Sequence, residues 1–158
     1  MDSMRESALA RFLVLAFLGG CAATPEAPPI ADAEAKHFES APRAAIVYLY
    51  RADTPSDATS TIWVDDHIVG QSLPATYFRV AVRPGRNRIA AFAPDQGRIE
   101  IETREGGVFF NAMQVSGDGE SSGNTIFRNV PPETGKAEIL RCCTMLETWR
   151  PGQWRAPF

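Results

Sequence analysis

From Ala44 to Val130 the chain is a series of short β-rich runs cut by turn residues, and that rhythm restricts the fold more than any other feature. Ala44–Arg51 (AAIVYLYR) has few polar positions and reads as a central strand. Thr61–Asp65 (TIWVD) leads through Asp65-Asp66-His67 into Ile68-Val69-Gly70, a tight hairpin with an acidic tip. Ala75–Val82 (ATYFRVAV) alternates, with Phe78, Val80 and Val82 on one face and Tyr77, Arg79 and Ala81 on the other. Arg83-Pro84-Gly85-Arg86 has the type II turn pattern, in which proline sets φ and glycine supplies a positive φ. Further strands are read at Asn87–Ala93, Gly97–Thr103, Val108–Val115 and Thr125–Val130, with the polar, glycine-rich stretch 116–124 as a loop. About seven short strands closed by hairpins predict an all-β chain, a small antiparallel β-sandwich. Residues 132–143 read as a short C-terminal helix, with Glu133 in its first turn and Ile139, Leu140 and Cys143 apolar.

Composition sets the remaining bounds. The 158 residues, 44% hydrophobic, suffice for one domain with a real core but not for two. A balance of 16 Lys+Arg against 19 Asp+Glu leaves a net charge of −3, which offers no global positive field for nucleic acid. With 2 His and no clustered thiols there is little material for a zinc site, and no cofactor is expected.

The N-terminus reads as an address. Arg5 and Arg11 flank the approach to an unbroken apolar run, Phe12–Leu18 (FLVLAFL), followed by Gly19-Gly20-Cys21. A basic region, a short apolar stretch and small residues make the layout of a secretory signal peptide, here residues 1–20. As a helix that run spans only about 10 Å, against a hydrocarbon core of ~30 Å, so it is no lasting transmembrane anchor. Leu18-Gly19-Gly20-Cys21 resembles the lipobox of bacterial lipoproteins. The likeness implies that Cys21 is acylated on sulfur, with chains such as palmitate, and becomes the new N-terminus. Small residues let the backbone enter a peptidase cleft, and a thiolate is the nucleophile that lipid transfer needs. Two or three acyl chains hold a protein firmly where one does not. Ala22 after the cysteine resembles the proteobacterial pattern for sorting to the outer membrane, facing the periplasm.

Residues 22–43 hold Pro25, Pro28, Pro29 and Pro42 among alanines and acids, without an apolar period. They read as a flexible tether, with a helical turn or two at Ala31–Phe38. The expected organisation is a signal peptide at 1–20, lipidated Cys21 and tether at 21–43, a sandwich domain at 44–148 and an aromatic tail at 149–158.

Ala45–Arg51 (AIVYLYR), Val64-Asp65, Val69-Gly70, Leu73 with Tyr77-Phe78, and Val82-x-Pro84-Gly85-x-Asn87 resemble a widespread family of short bacterial lipoproteins, named only as a domain of unknown function. The likeness covers residues 44–146 and lies in turn and core positions. It departs at Asp66, where a turn glycine is usual, at Ala75, and at Asn87 in the usual place of a histidine. The family is itself similar to the small β-sandwich modules called PEGA. The resemblance implies a sandwich fold and an envelope location, and it carries no catalytic residues.

Chemistry-bearing residues are few. Ser116, Ser121 and Ser122 do not sit in a G-x-S-x-G elbow. His67, at a turn beside Asp65 and Asp66, reads either as a base or pH switch or as an ordinary exposed histidine. Cys142-Cys143 leaves three readings open: two thiols with one buried against the sandwich, a vicinal disulfide, or an intermolecular bridge. The vicinal form asks for strained backbone, because adjacent Cα atoms lie about 3.8 Å apart where disulfides prefer ~4.4–6.8 Å.

Arg79, Arg83, Arg86, Arg88 and Arg98 stand against Asp95 alone within residues 79–98. They read as solvated strand edges or as a patch for an anionic envelope partner, such as lipid headgroups, lipopolysaccharide or peptidoglycan carboxylates. Alternation is expected to gather at least three of these guanidiniums on one face of one sheet, with Glu100 and Glu102 as internal counter-charges. The leading expectation is a non-enzymatic lipoprotein, anchored to the membrane through Cys21, that binds or scaffolds another envelope component. The alternatives are a redox or hydrolytic envelope enzyme using Cys142/Cys143 or His67, and a glycan or small-molecule binder.

Overall fold

The computed structural model describes residues 24–92, 97–117 and 124–149, so the signal peptide, Cys21 and residues 150–158 lie outside the described residues. Strands form at the runs that the sequence marks as β-rich: β1 (Ala45–Arg51), β2 (Ser60–Val64), β3 (His67–Ser72), β4 (Thr76–Val82), β5 (Gly85–Phe92), β6 (Arg98–Thr103), β7 (Val108–Ser116) and β8 (Asn124–Val130). Two helices, α1 (Pro29–Ala35) and α2 (Pro132–Cys142), and a two-residue strand β9 (Thr144–Met145) complete the described elements. They build a five-stranded sheet of order β8-β7-β1-β4-β9 over a four-stranded sheet of order β3-β2-β5-β6.

The all-β, sandwich-like architecture is present, with two corrections. The described strands number nine rather than about seven. The larger sheet is mixed rather than antiparallel, since β1 runs parallel to β7 and β4 parallel to β9. The first parallel pair arises because the chain leaves this sheet after β4, makes the β5–β6 hairpin in the other sheet, and re-enters at the end where β1 began. The second arises because α2 carries the chain back along the sheet before β9 starts.

β1 is buried at every position, as its apolar sequence anticipates for a strand covered on both faces. Val47 and Leu49 join Ile62, Val64, Phe78, Ile89 and Met113 between the sheets. Ile46, Tyr48 and Tyr50 join Tyr77, Phe110 and Ile139 beneath the helices. The molecule therefore has three layers: helices, five-stranded sheet, four-stranded sheet.

Turn chemistry explains where the chain reverses. Asp65 (φ 47°) and Asp66 (φ 66°) form the two-residue loop between β2 and β3, both left-handed as a type I′ turn requires. Aspartate tolerates this region better than most residues, so the absence of a turn glycine leaves the hairpin intact. Ala75 takes the same conformation (φ 55°) without that tolerance. At Pro84-Gly85 the expected positive φ appears on Gly85 (118°), but the turn is not a hairpin. It is a corner between sheets, since Val82 still pairs with Ala45 while Gly85 already pairs with Thr103. Asn87 is buried under this corner, its Nδ2 within reach of the Arg83 and Gly85 carbonyls (3.0 and 2.9 Å) and Thr103 Oγ1 (2.8 Å).

Residues 24–38, expected as part of the tether, pack against the sandwich. Thr24, Ala27 and Ala35 are buried. The Ala27 N–H donates to the Met145 carbonyl (2.8 Å) and the Glu147 N–H to the Pro25 carbonyl (2.9 Å), which stitches the N-terminal segment to the C-terminal one. α1 is pinned by polar contacts: the Tyr48 hydroxyl donates to the Ala35 carbonyl (2.6 Å). Asp32 Oδ1 accepts from the Tyr77 hydroxyl (2.9 Å) and the Met145 N–H (2.8 Å). Directional bonds from distant strands order a segment whose own composition shows no apolar period.

α2 matches the expected helix, with prolines at its start, Glu133 in its first turn and Arg141 in its last, signs that suit the helix dipole. Gly135 sits against Phe110, where a Cβ would lie 2.5 Å from the ring, so the glycine sets how closely the helix approaches the sheet.

Candidate functional site

The described surface has one side where the edges of both sheets face each other, β3 of one and β4 of the other. β9 pairs only with Thr76 and Tyr77, and just beyond it the Leu146 N–H donates to the Tyr77 carbonyl (2.8 Å). Backbone polar groups alternate sides along a strand, so those of Arg79 and Ala81 point the same way as the Tyr77 carbonyl, past the end of β9. They face a groove of about 620 Å³ whose walls include Val64, Ile68, Val69, Val80 and Val82. Asp65, His67, Arg79 and Arg83 stand at its rim, and Thr148 and Trp149 close one end. Trp149 is held by its N–H, which donates to the Val69 carbonyl (2.8 Å). The first described residue also lies here, since Thr24 Oγ1 accepts from the Gln71 N–H (2.7 Å) on the β3 edge.

The arginine patch does not form as expected. Arg79 lies on β4 with its side chain toward the helices, its Nε donating to the Tyr48 hydroxyl (3.3 Å). Arg86 and Arg88 lie on β5 in the other sheet, directly opposite Glu102 and Glu100 in the strand register. Arg88 also pairs with Asp66, and its N–H donates to Asp65 Oδ1 (2.7 Å). Arg83 and the backbone of Arg79 line the groove while Arg86 and Arg88 do not. The physical reason is the corner at Pro84-Gly85, which sends β5 to the other sheet.

Cys142 and Cys143 are joined as a vicinal disulfide, with Cα atoms 3.7 Å apart. This departs from the two-thiol reading. Cys143 is buried and Cys142 half-buried, at the point where α2 gives way to β9. His67 is exposed at the start of β3, with Nδ1 2.8 Å from the Asp65 carbonyl rather than from a carboxylate. That geometry orients the ring but does not make a base–orienter pair of the hydrolytic kind.

Sequence reasoning missed a polar region inside the sandwich. Arg51 ends β1 as a charged residue that reads as strand-terminal, yet it is fully buried on the same face as Leu49. Its Nη1 donates to the Ala58 carbonyl (2.6 Å), and Nη2 to the Ser56 carbonyl and to Thr54 Oγ1 (3.4 Å). The buried cation thus fastens the 52–59 loop, and burial lowers its pKa against the opposing field of Asp57. Nearby, the Thr125 hydroxyl donates to Ser60 Oγ (2.8 Å), bridging the two sheets. The only available signal was alternation, which places residue 51 inward with 47 and 49.

On the helical face, Tyr50 donates to Glu138 Oε2 (2.5 Å). Burial, then this carboxylate, push the Tyr50 hydroxyl's pKa well up, and burial with Asp32 does the same at Tyr77. These tyrosines are neutral hydrogen-bond donors. Burial by itself would raise Asp32, but Lys36, the Met145 amide and Tyr77 outweigh it and hold the carboxyl below its usual range.

Among the described residues no three His, Cys, Asp or Glu side chains gather around a point that would hold a metal ion. No described helix is long and apolar enough to cross a membrane. Comparison with family models and with curated proteins finds no match to this chain.

Proposed function

We propose that the chain is a lipid-anchored lipoprotein of the bacterial cell envelope, akin to the short lipoproteins of unknown function that it resembles, held in the outer membrane and facing the periplasm. Its sandwich acts as a non-enzymatic module that binds or scaffolds another envelope component. The observation that carries this reading is the order of the N-terminal sequence: Arg5 and Arg11, the apolar run Phe12–Leu18, and then Leu18-Gly19-Gly20-Cys21. Cleavage before Cys21 leaves every described residue of the fold on the mature chain. Cys21→Ala is expected to release the protein from membranes and leave a longer, unprocessed chain. Continued membrane fractionation with normal processing overturns the lipoprotein reading.

The joined Cys142–Cys143 pair favours a second reading, a thiol–disulfide function in an oxidising compartment. Thiol titration of native protein with and without a dithiol reductant tests it. Two thiols without reductant, or a disulfide that resists reduction in folded protein, removes its support.

A further inference from the structure

We propose that the β3–β4 groove is the surface that rests on the bilayer and receives the phosphate headgroups of anionic phospholipids; the proposal rests on the lipid anchor at Cys21 inferred above. The first argument is one of length. From Cys21 to Thr24 the chain advances three residues, at most about 10 Å even when fully extended. Thr24 is buried, bonded to Gln71 on the β3 edge and packed beside Gly70. Acyl chains on Cys21 therefore hold this side of the sandwich against the headgroups. A long tether would have let the domain turn freely; three residues do not.

The second argument is chemical. The groove wall is apolar at Ile68, Val80 and Val82, and Trp149 at its end has the amphipathic ring that suits a membrane interface. Arg83 brings to the rim a guanidinium, the group best matched to phosphate oxygens, while Arg79 turns its side chain away to Tyr48. The rim carboxylate, Asp65, is engaged by the Arg88 N–H. The exposed acids Glu26 and Glu147 lie where the terminal segments pair, beside Tyr77 and away from the Arg83 end of β4. Arg86 and Arg88 take no part, being matched to Glu102, Glu100 and Asp66 on the other sheet.

The test places a photoreactive phenylalanine analogue at Ile68 or at the exposed Ala81, with Glu100 on the far edge strand β6 as the comparison site. The lipidated protein is reconstituted in phosphatidylethanolamine vesicles with and without phosphatidylglycerol, then irradiated. Phospholipid adducts at 68 and 81 but not at 100, falling when phosphatidylglycerol is omitted, are the expected result. Arg83→Gln should lower the yield at 81 about fivefold, the equivalent of ~1 kcal/mol per basic residue at an anionic surface, while Arg86→Gln leaves it unchanged. Adducts to residues 150–158 of the same chain, to a second copy or to another protein, or equal lipid labelling at all three sites, overturn the proposal. Cys21→Ala separates the two readings. If that variant stays in membranes, processed normally, the anchor itself is wrong. If it is released while the lipidated protein gives no groove adducts, only the groove assignment fails.

Discussion

The two faces of the five-stranded sheet are packed by different physics. Toward the smaller sheet, aliphatic side chains and Phe78 meet across a layer in which directional contacts are few at the β1 centre. Toward the helices, the same strands present Tyr48, Tyr50 and Tyr77, each with its hydroxyl donating to a particular acceptor on α1 or α2. Burial of apolar area drives the first layer and tolerates approximate partners. The second holds two short helices, one of them seven residues long, that could not dock by apolar area alone. A segment with a weak apolar face can therefore be ordered if others supply its hydrogen bonds.

The largest expected effect breaks the first layer. Phe78→Ala, at a fully buried ring, should cost about 3–5 kcal/mol of global stability, read by denaturant unfolding. A loss under 1 kcal/mol would mean the sheets are not packed through this ring. Next, Gly135→Ala should destabilise by about 2–3 kcal/mol although alanine is the better helix former, because its methyl meets Phe110. A stabilised variant would show that α2 does not sit so close.

A smaller effect tests the polar layer. Asp32→Ala leaves the Tyr77 hydroxyl and the Met145 amide without their acceptor and should cost about 1–2 kcal/mol, with faster amide exchange in α1. Because Asp32 is held below its usual value, its contribution is present above about pH 4 and drains away as pH falls through the lowered pKa. The variant should show a flatter acid limb. Tyr50 and Tyr77 have the opposite sign. Their raised values mean stability that is full below about pH 10 and lost as pH rises toward the folded pKa. The smallest effect belongs to the exposed Arg88–Asp66 pair, where Arg88→Ala should change stability by less than about 1 kcal/mol. A larger loss would give the outer face of the small sheet a structural role that exposed pairs seldom have.

Strand positions, the acidic I′ hairpin, the positive φ at Gly85 and helix α2 were legible because each rests on neighbours within a few residues: alternation of side chains, left-handed tolerance, prolines at a helix start. Trp149 was legible as an aromatic near the end, though not as the end wall of a groove. What only the tertiary structure decided involves partners far apart in the chain. Pro84-Gly85 reads the same whether it closes a hairpin or turns a corner between sheets; the pairing of Val82 with Ala45 and Gly85 with Thr103 makes it a corner, and that separates Arg79 from Arg88. Arg51 reads as a strand-ending charge until the carbonyls of Ser56 and Ala58 fold over it. Residues 24–43 read as a linker because composition records apolar side chains, whereas their order comes from backbone and hydroxyl bonds whose other halves lie on β1, β4 and the strand after α2.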